Sequence, residues 1–372
     1  MKKMIKLAAV GAAAALVLTA CADAPSDTNP TTATAGETSA APSVTAVDGF
    51  RPCIVSDAGG FDDKSFNQLS YEGLVRAAKD LGVEYGQVES TSDADFKTNL
   101  ESLISTDCTA IVSVGFALSA ATVESATANP DVDYVLVDDA ADNDFDGKKD
   151  AENIKPLLYD TAQAAFLAGY LAAGYSEAGK VGTYGGQPYP TVTIFMDGFK
   201  QGVEHYNKVN SKDVKVIGFE GGDKGVFTGG FDNNQDARNA ADSIIDQGVD
   251  VILPVGGPIY QAALDSIAES GRDIALIGVD ADIFETDPST AAVALTSIEK
   301  KMDLSTYEAL LTAAKGEFDP EAYVGTLENE GVGLAPLHDF EGKVDAALLA
   351  EVDALKADII AGKVKVTSYL AK

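Results

Sequence analysis

The chain has 372 residues, of which 46% are hydrophobic, and its formal net charge is −31 at pH 7. This length suits two lobes of about 150 residues each, and the apolar fraction is large enough to form packed cores. Because a strongly negative surface repels phosphate groups and anionic lipid headgroups, the charge argues against a nucleic acid as partner.

The N-terminal residues have the features of an export signal. Lys2, Lys3 and Lys6 precede an apolar run over residues 7–18 that is too short to span a bilayer. The run ends in Leu-Thr-Ala-Cys at residues 18–21, which resembles the lipobox of bacterial lipoproteins. That resemblance implies a signal peptide over residues 1–20, a lipidated, palmitate-bearing Cys21 and anchoring at the extracytoplasmic face of the cell membrane. A plain signal peptide or a membrane anchor is the alternative.

The segment after Cys21 is predicted to be a disordered tether over residues 21–49. Residues 22–49 contain no Leu, Ile, Phe or Tyr and are rich in Thr, Ala, Ser and Pro. Such a composition cannot bury enough apolar surface to fold by itself. The lipid is therefore expected to be the protein's only contact with the membrane.

From residue 52 onward, short apolar runs typical of strands alternate with longer periodic runs typical of helices. The first strands are predicted at 52–55, 83–88, 111–114 and 134–137, and the first helices at 66–81, 94–105 and 118–128. Alternation at this spacing predicts βαβ units and a parallel sheet.

After a polar loop the alternation starts again. Strands are predicted at 180–184, 214–219, 251–255, 274–279 and 293–298, and helices at 161–175, 193–207, 233–247, 258–270, 299–315 and 344–359. The sequence therefore predicts an α/β fold of two doubly wound, Rossmann-like lobes. The N-terminal lobe is expected at residues 50–160, completed by segments from about 285–325, and the C-terminal lobe at residues 161–284, completed by about 326–372.

Cys53 and Cys108 each lie near the start of a predicted buried strand. Neighbouring parallel strands would place both at one edge of the sheet, and an exported protein folds in an oxidising compartment. A disulfide between them would stabilise the fold by about 4 kcal/mol on the chain-entropy model. Two free buried thiols are the alternative that the sequence leaves open.

Signatures of catalysis are sparse. The chain has two histidines, His205 and His338, and neither has a partner at metal or triad spacing. A P-loop, a nucleophile elbow and a zinc-binding pair are also missing from the sequence. These absences favour a binding protein over an enzyme.

One loop resembles a metal site. Residues 142–147, Asp-Asn-Asp-Phe-Asp-Gly, repeat the beginning of a calcium-binding loop, with Asp142, Asp144 and Asp146 as its alternate oxygen ligands. The twelfth position is Asn153 rather than glutamate, so an acidic, solvated loop is the alternative. No other cofactor is expected.

A polar loop at residues 56–68 follows the first predicted strand and precedes the first predicted helix. In open α/β sheets, ligands bind at such strand-to-helix junctions. The loop has carboxylates, a hydroxyl, an amide and an aromatic ring, but no glycine fingerprint for phosphate. It therefore favours a neutral, planar, hydrogen-bonding ligand.

Residues 57–68 read Asp-x-Gly-Gly-x-Asp-Asp-Lys-Ser-Phe-Asn-Gln, and residues 296–300 read Thr-Ser-x-x-Lys. With glycine-rich motifs at 179–186, 198–203 and 278–282, the chain resembles the basic membrane lipoproteins over about residues 50–340. The characterised type of this family is the purine-nucleoside receptor lipoprotein, a substrate-binding protein of an ABC importer. The resemblance implies a type I periplasmic-binding-protein fold with a multi-strand hinge and a ligand cleft between the lobes.

The resemblance also implies a site for the base of a nucleoside. Asp57 and Ser65 match positions that hydrogen-bond the base, Phe66 matches the aromatic residue that stacks on it, and Asn67 lies beside them. An aromatic face is worth about 1–3 kcal/mol per stacked base.

The remaining implied ligand residues lie later in the chain. Asp280 and Lys300 match positions that hold the ribose hydroxyls, and Asp138 matches a further carboxylate of the cleft. On the C-terminal lobe, where the family often has an aromatic residue, the chain has Leu253 followed by Gly256, so an aliphatic cap on the base is expected.

The function implied is the capture of a nucleoside, with purines preferred, and its delivery to an ABC permease by a monomer that is not an enzyme. A sensor or surface lipoprotein that binds a sugar or a peptide in the same cleft is the alternative.

Overall fold

The structure, a computed structural model, describes residues 47–371. The predicted signal peptide, the lipidation site at Cys21 and most of the predicted tether lie outside these residues. Within them, no helix is long and apolar enough to cross a membrane.

Strands and helices alternate along the described chain. The strands are β1 Pro52–Val55, β2 Gly86–Val88, β3 Ala110–Val114, β4 Asp133–Val137, β5 Ile154–Tyr159, β6 Lys180–Gly185, β7 Lys215–Ile217, β8 Phe219–Gly221, β9 Lys224–Gly225, β10 Val251–Val255, β11 Ala275–Asp280, β12 Ala294–Lys300, β13 Tyr323–Gly325 and β14 Val332–Leu334. The helices are α1 Phe66–Leu81, α2 Phe96–Ile104, α3 Ser119–Ala128, α4 Thr161–Tyr175, α5 Pro190–Asn210, α6 Gln235–Ile245, α7 Ile259–Ser270, α8 Ile283–Thr286, α9 Met302–Ala314 and α10 Ala346–Ile360.

Two six-stranded sheets form the centres of the two lobes. The order is β13-β5-β4-β3-β1-β2 in the N-terminal lobe and β14-β12-β11-β10-β6-β7 in the C-terminal lobe. Their strands pair in parallel, except that β14 runs antiparallel to β12. Every residue of β1, β3, β10 and β11 is buried, as expected for sheets covered by helices on both faces. The predicted two-lobed α/β fold is confirmed.

The sequence prediction omits β5, β13 and β14. Strand β5 contains Pro156, a residue that argues against a strand in the middle of a sheet. Strands β13 and β14 have three residues each, so they are too short to show an alternating pattern.

The chain passes between the lobes after β5, after β12 and after β13. The segment 285–325, expected to complete the N-terminal lobe, is in fact divided. Its apolar strand β12 pairs with β11 in the C-terminal sheet, whereas α9 packs against α1 and β13 pairs with β5. Strand β14 and helix α10, which packs against α4, return to the C-terminal lobe.

Helices α4 and α5 pack closely because glycines remove side chains from their contact. A Cβ on Gly202 would lie 2.0 Å from the carbonyl oxygen of Phe166, and one on Gly169 would lie 2.0 Å from that of Phe199. Neither distance is compatible with a side chain, so the glycines set the separation of these two helices.

Cys53 and Cys108 form a disulfide, with their Cα atoms 5.9 Å apart. Both cysteines are buried. Because β1 pairs in parallel with β3, the two residues lie at the same, amino-terminal end of these neighbouring strands. The disulfide joins the start of β1 to the residues just before β3.

Candidate ligand-binding cleft

A cavity of about 340 Å³ lies between the two lobes, at the carboxyl ends of the sheet strands. Its volume is that of a pocket for a small molecule. The N-terminal lobe contributes Asp57, Ala58, Gly59, Asp63, Phe66, Asn67, Asp93, Phe116, Ala117 and Asp138. The C-terminal lobe contributes Gln187, Tyr189, Thr191, Val192, Phe195, Gly230, Phe231, Asp232, Asn233, Val255, Gly256, Gly257, Pro258, Asp280 and Lys300.

The fold brings most of the predicted ligand residues together at this cavity, although they are far apart in the sequence. Those that line it are Asp57, Phe66, Asn67, Asp138, Gly256, Asp280 and Lys300. Parallel strands explain the convergence, because the residues that follow them meet at one edge of each sheet.

Two predicted ligand residues lie elsewhere. Ser65 is buried beside the cavity, and its Oγ donates to the carbonyl oxygen of Val279 at 3.1 Å across the lobe boundary. Leu253 is 0% exposed and belongs to the apolar core of β10. The expected aliphatic cap is therefore wrong at Leu253. Its side chain projects from the same face of β10 as that of Val255, which lines the cavity, but it lies two residues earlier in the strand, within the core.

On the N-terminal wall, a hydrogen-bond network fixes the carboxylate of Asp57. Its Oδ1 accepts from the backbone N–H of Gly59 at 2.9 Å and from Asn67 Nδ2 at 2.7 Å. Asn67 Nδ2 also donates to Asp63 Oδ2 at 3.1 Å. Asp63 in turn accepts from the backbone N–H groups of Ser65, Asn67 and Gln68 and so caps the start of α1.

Asp57 Oδ2 and the ring of Phe66 both lie against Gly115. A Cβ on Gly115 would lie 3.2 Å from Asp57 Oδ2 and 3.4 Å from the Phe66 ring, so glycine leaves room for both groups. Gly115 also has a φ of 108°, which a residue with a side chain rarely adopts. Burial raises the pKa of Asp57 from 3.8 to about 6, although hydrogen bonds from Gly59 and Asn67 oppose the shift.

Elsewhere in the lining, Lys300 joins carboxylates from both lobes. Its Nζ lies 2.7 Å from Asp138 Oδ2, at the end of β4, and 3.3 Å from Asp280 Oδ1, at the end of β11. Lys300 is only 3% exposed. Burial by itself lowers the pKa of a lysine, but the two carboxylates outweigh it and hold the pKa of Lys300 above its usual value.

Asp138 and Asp280 share an unusual backbone conformation, with φ values of 66° and 68°. Residues other than glycine adopt this left-handed region at a cost, and such conformations concentrate at functional sites. In each sheet, one strand therefore ends at a strained aspartate, and both aspartates face the ammonium group of Lys300.

The C-terminal lobe supplies aromatic residues that the sequence prediction did not assign to the ligand site. Phe195, Tyr189 and Phe231 all line the cavity. The ring of Phe231 packs against two glycines. A Cβ on Gly186 would lie 2.4 Å from the ring, and a Cβ on Gly256 would lie 2.9 Å from it. The glycine pair just before Phe231 in the sequence was a signal that this loop lines the cleft.

The lobes touch each other around the cavity. The rings of Phe116, from the N-terminal lobe, and Tyr189 lie 4.6 Å apart, and Phe116 lies 6.0 Å from Phe231. Thr286 Oγ1 donates to the backbone oxygen of Lys64 at 2.7 Å. The structure therefore shows the cleft with its two walls in contact.

The acidic loop predicted to bind calcium lies outside this cavity. One carboxylate oxygen from each of Asp142, Asp144 and Asp146 lies within 4.8 Å of the others. The backbone N–H of Gly147 donates to Asp142 Oδ2 at 2.9 Å, so the loop also holds itself together without an ion. Calcium binding stays a prediction.

The family model described as "ABC transporter substrate-binding protein PnrA-like" matches residues 52–367. The chain belongs to this family. It is a substrate-binding protein of the ABC-transporter type. The resemblance to the basic membrane lipoproteins is thereby confirmed.

Relatives with curated descriptions cover most of the chain. A "CD4+ T-cell-stimulating antigen" of Listeria monocytogenes is 29% identical over 85% of this chain and 88% of its own length. An "ABC transporter nucleoside-binding protein BmpA" of Lactococcus lactis is 26% identical over 86% and 89%. A solved ABC-transporter solute-binding protein of Aeropyrum pernix has the same fold, with a TM-score of 0.75, 24% identity and coverage of 87% of this chain and 94% of that one.

Proposed function

We propose that this protein captures a nucleoside in the interlobe cavity and delivers it to an ABC permease. The observation that carries the proposal is that Phe66 and Asp57 both line the cavity, with the Phe66 ring and Asp57 Oδ2 both packed against Gly115. An aromatic face next to a free carboxylate oxygen offers stacking and an edge hydrogen bond to one planar ring, as a nucleobase requires.

The charged cluster around Lys300 suits the sugar. Asp280 can accept two hydroxyl protons of a vicinal diol, and Lys300, 3.3 Å away, can donate to the same oxygens. The lining carboxylates outnumber this ammonium group: Asp57, Asp63, Asp93, Asp138, Asp232 and Asp280. Such a cavity repels phosphate, which favours a nucleoside over a nucleotide.

The proposal includes the route by which the nucleoside reaches the cell. Lipidation at Cys21 would hold the protein at the extracytoplasmic face of the membrane, and a relative of Pyrococcus abyssi, 30% identical over 75% of this chain, is described as a lipoprotein. Closure of the lobes on the ligand would present the permease with a surface that the open form lacks. A monomer is sufficient, because one chain supplies both walls of the cavity.

Calorimetry and thermal unfolding with nucleosides, nucleotides, free bases and sugars test this function. A nucleoside at 100 times its dissociation constant is expected to stabilise the protein by about 2.7 kcal/mol, a rise in Tm of about 5 °C. Nucleotides and sugars are expected to give no shift. If no nucleoside changes the Tm, the proposal is wrong.

Phe66→Ala tests the stacking role. The variant is expected to bind the nucleoside about 10- to 100-fold more weakly, because it loses the aromatic face. Phe145→Ala is the matched control: Phe145 is an aromatic residue of the same lobe, is 88% exposed and lies outside the cavity. If Phe66→Ala binds the nucleoside as tightly as the wild-type protein does, Phe66 does not stack on the base.

A further inference from the structure

Two consecutive residues of the N-terminal lobe, Lys64 and Ser65, form hydrogen bonds with the C-terminal lobe. Thr286 Oγ1, at the end of α8, donates to the backbone oxygen of Lys64 at 2.7 Å. In the other direction, Ser65 Oγ donates to the backbone oxygen of Val279 in β11 at 3.1 Å, and it lies 3.4 Å from Asp280 Oδ2. The segment just before α1 is therefore bonded to two elements of the opposite lobe.

The backbone of this segment is strained. Lys64 has a φ of 61°, in the left-handed region that residues with a side chain adopt at a cost. Such conformations persist only where surrounding contacts hold them, and they concentrate at ligand clamps and switch regions. The ammonium group of Lys64 pairs with Asp62 of its own loop. It is therefore the strained backbone of Lys64, and not its charge, that meets Thr286.

On the C-terminal lobe, α8 is held firmly where it begins. Asp282 Oδ1 accepts from the backbone N–H of Phe284 at 3.1 Å, and Asp282 Oδ2 lies 2.6 Å from His338 Nε2. The rings of His338 and Phe284 stack with their centroids 4.0 Å apart. Because a helix of four residues is not stable by itself, these contacts are what hold Thr286 at the lobe boundary.

The same segment leads directly into the ligand cavity. Phe66 follows Ser65 as the first residue of α1, and it lines the cavity. Lys64, Ser65 and Thr286 are not among the lining residues in the part of the chain that the structure describes. The cross-lobe hydrogen bonds can therefore position Phe66 without contacting a ligand themselves.

Building on the proposed function, we propose that the Thr286–Lys64 and Ser65–Val279 hydrogen bonds form a latch that holds the lobes closed over the nucleoside. Opening of the lobes breaks both bonds, and the ligand leaves only after opening. The latch therefore slows dissociation and keeps Phe66 in place while the ligand is bound. Ser65 acts here as a positioning residue, in place of the base contact that the sequence motif implies.

Thr286→Val and Thr286→Ser test the latch, because the first removes the hydroxyl group at nearly constant shape and the second keeps it. Stopped-flow fluorescence gives the association and dissociation rates of the two probes, inosine and adenosine. Thr286→Val is expected to release both probes about 3- to 10-fold faster than the wild-type protein, as the loss of one hydrogen bond predicts. Association is expected to change by less than about twofold, because the ligand enters before the latch forms.

Thr286→Ser is expected to restore the wild-type dissociation rate, which a loss of packing alone would not explain. Thr312→Val is the matched control. Thr312 is also a partly buried threonine, but its Oγ1 donates within its own helix, to the backbone oxygen of Ala309 at 2.8 Å. This variant is expected to keep the wild-type rates for both probes.

Ser65→Ala tests the second hydrogen bond of the latch. It is expected to speed the release of inosine and of adenosine by the same factor, about 3- to 10-fold, because it acts on closure and not on the base. The two probes differ at N1 and C6 of the base. Unequal factors would place Ser65 against that edge of the base and would overturn its part in the latch.

The remaining outcomes separate the latch from the proposed function. If Thr286→Val releases the probes at the wild-type rate, or if Thr286→Ser releases them as fast as Thr286→Val, the latch is wrong and nucleoside capture stands. An effect confined to association also overturns the latch. If neither probe binds the wild-type protein, the proposed function and this inference fail together. If Ser65→Ala does not fold, as judged by circular dichroism, the Thr286 variants decide alone.

Discussion

Lys300 shows how one side chain can hold two lobes together. Its ammonium group lies between Asp138 of one lobe and Asp280 of the other, and it also faces the rings of Phe195 at 4.9 Å and Phe66 at 5.2 Å. A buried ion pair contributes little net stability, but removal of one partner leaves the other charge uncompensated. In this cluster two carboxylates depend on one ammonium group.

Lys300→Met is therefore expected to lower the free energy of unfolding by about 3–5 kcal/mol at pH 8. Burial raises the pKa of Asp138 even though Lys300 opposes the shift, and loss of the ammonium group is expected to raise that pKa further. A carboxyl group with a raised folded-state pKa destabilises the fold as the pH rises through that pKa. The deficit is therefore largest at pH 8 and shrinks on acidification.

Urea unfolding of Lys300→Met at pH 5 and pH 8 measures this deficit. Lys301→Met is the control, since Lys301 is partly exposed and pairs with Glu299 on the surface, and its loss is expected to cost less than about 1 kcal/mol. Adding Asp138→Asn to Lys300→Met is expected to restore part of the stability. Equal deficits at both pH values would contradict the role of the carboxylates.

Among the elements, α4 and α5 form the packed support beneath the C-terminal wall of the cleft. Helix α4 follows the first crossing between the lobes, and the N-terminal end of α5 carries Thr191, Val192 and Phe195 into the cavity. The glycine contacts between the two helices therefore position residues of the cleft. A change in the distance between the helices would move that wall.

Gly202→Ala is expected to destabilise the protein by about 2–3 kcal/mol, because the new Cβ would lie 2.0 Å from the backbone oxygen of Phe166 and backbone cannot move aside easily. Gly333→Ala is the matched control, because a Cβ on Gly333 would meet no atom within 4 Å. Thermal unfolding of both variants measures the difference. If Gly202→Ala is as stable as the control variant, the two helices can move apart without a loss of stability.

For the molecule as a whole, the contacts between the lobes are expected to affect how long a ligand stays bound. Phe116 touches Tyr189 across the boundary and lies near Phe231, so these rings close part of the cavity wall. An apolar contact between two bodies that must separate slows their opening. Ligand escape requires that opening, so the contact acts on the dissociation rate.

Phe116→Ala is expected to raise the dissociation rate of the proposed nucleoside ligand about tenfold and to have a smaller effect on its association rate. Tyr189→Ala added to Phe116→Ala is expected to add little, since both changes remove the same contact. Stopped-flow tyrosine fluorescence can follow dissociation, because the chain contains no tryptophan. Fully additive effects of the two changes would show that the rings act independently.

The sequence predicts most of the fold because its signals are local. Helices α1 and α4 begin and end where the apolar periodicity places them. The short strands β13 and β14 and the proline-containing β5 carry no such signal, since neighbouring strands rather than their own residues determine their pairing. The assignment of β12 to the C-terminal sheet was missed for the same reason.

The loop at residues 56–68, the aspartates that end β4 and β11, and Lys300 are set by the sequence alone, because each follows directly from a strand signal or a family motif. Only the tertiary structure decided which of these groups still has an atom that can bind a ligand. Asn67 and one oxygen of Asp57 are occupied by their neighbours, Ser65 bonds across the lobe boundary, and Phe231 rather than Leu253 lies at the cleft. Such facts depend on distances between residues far apart in the chain, and a linear pattern of residue types does not encode those distances.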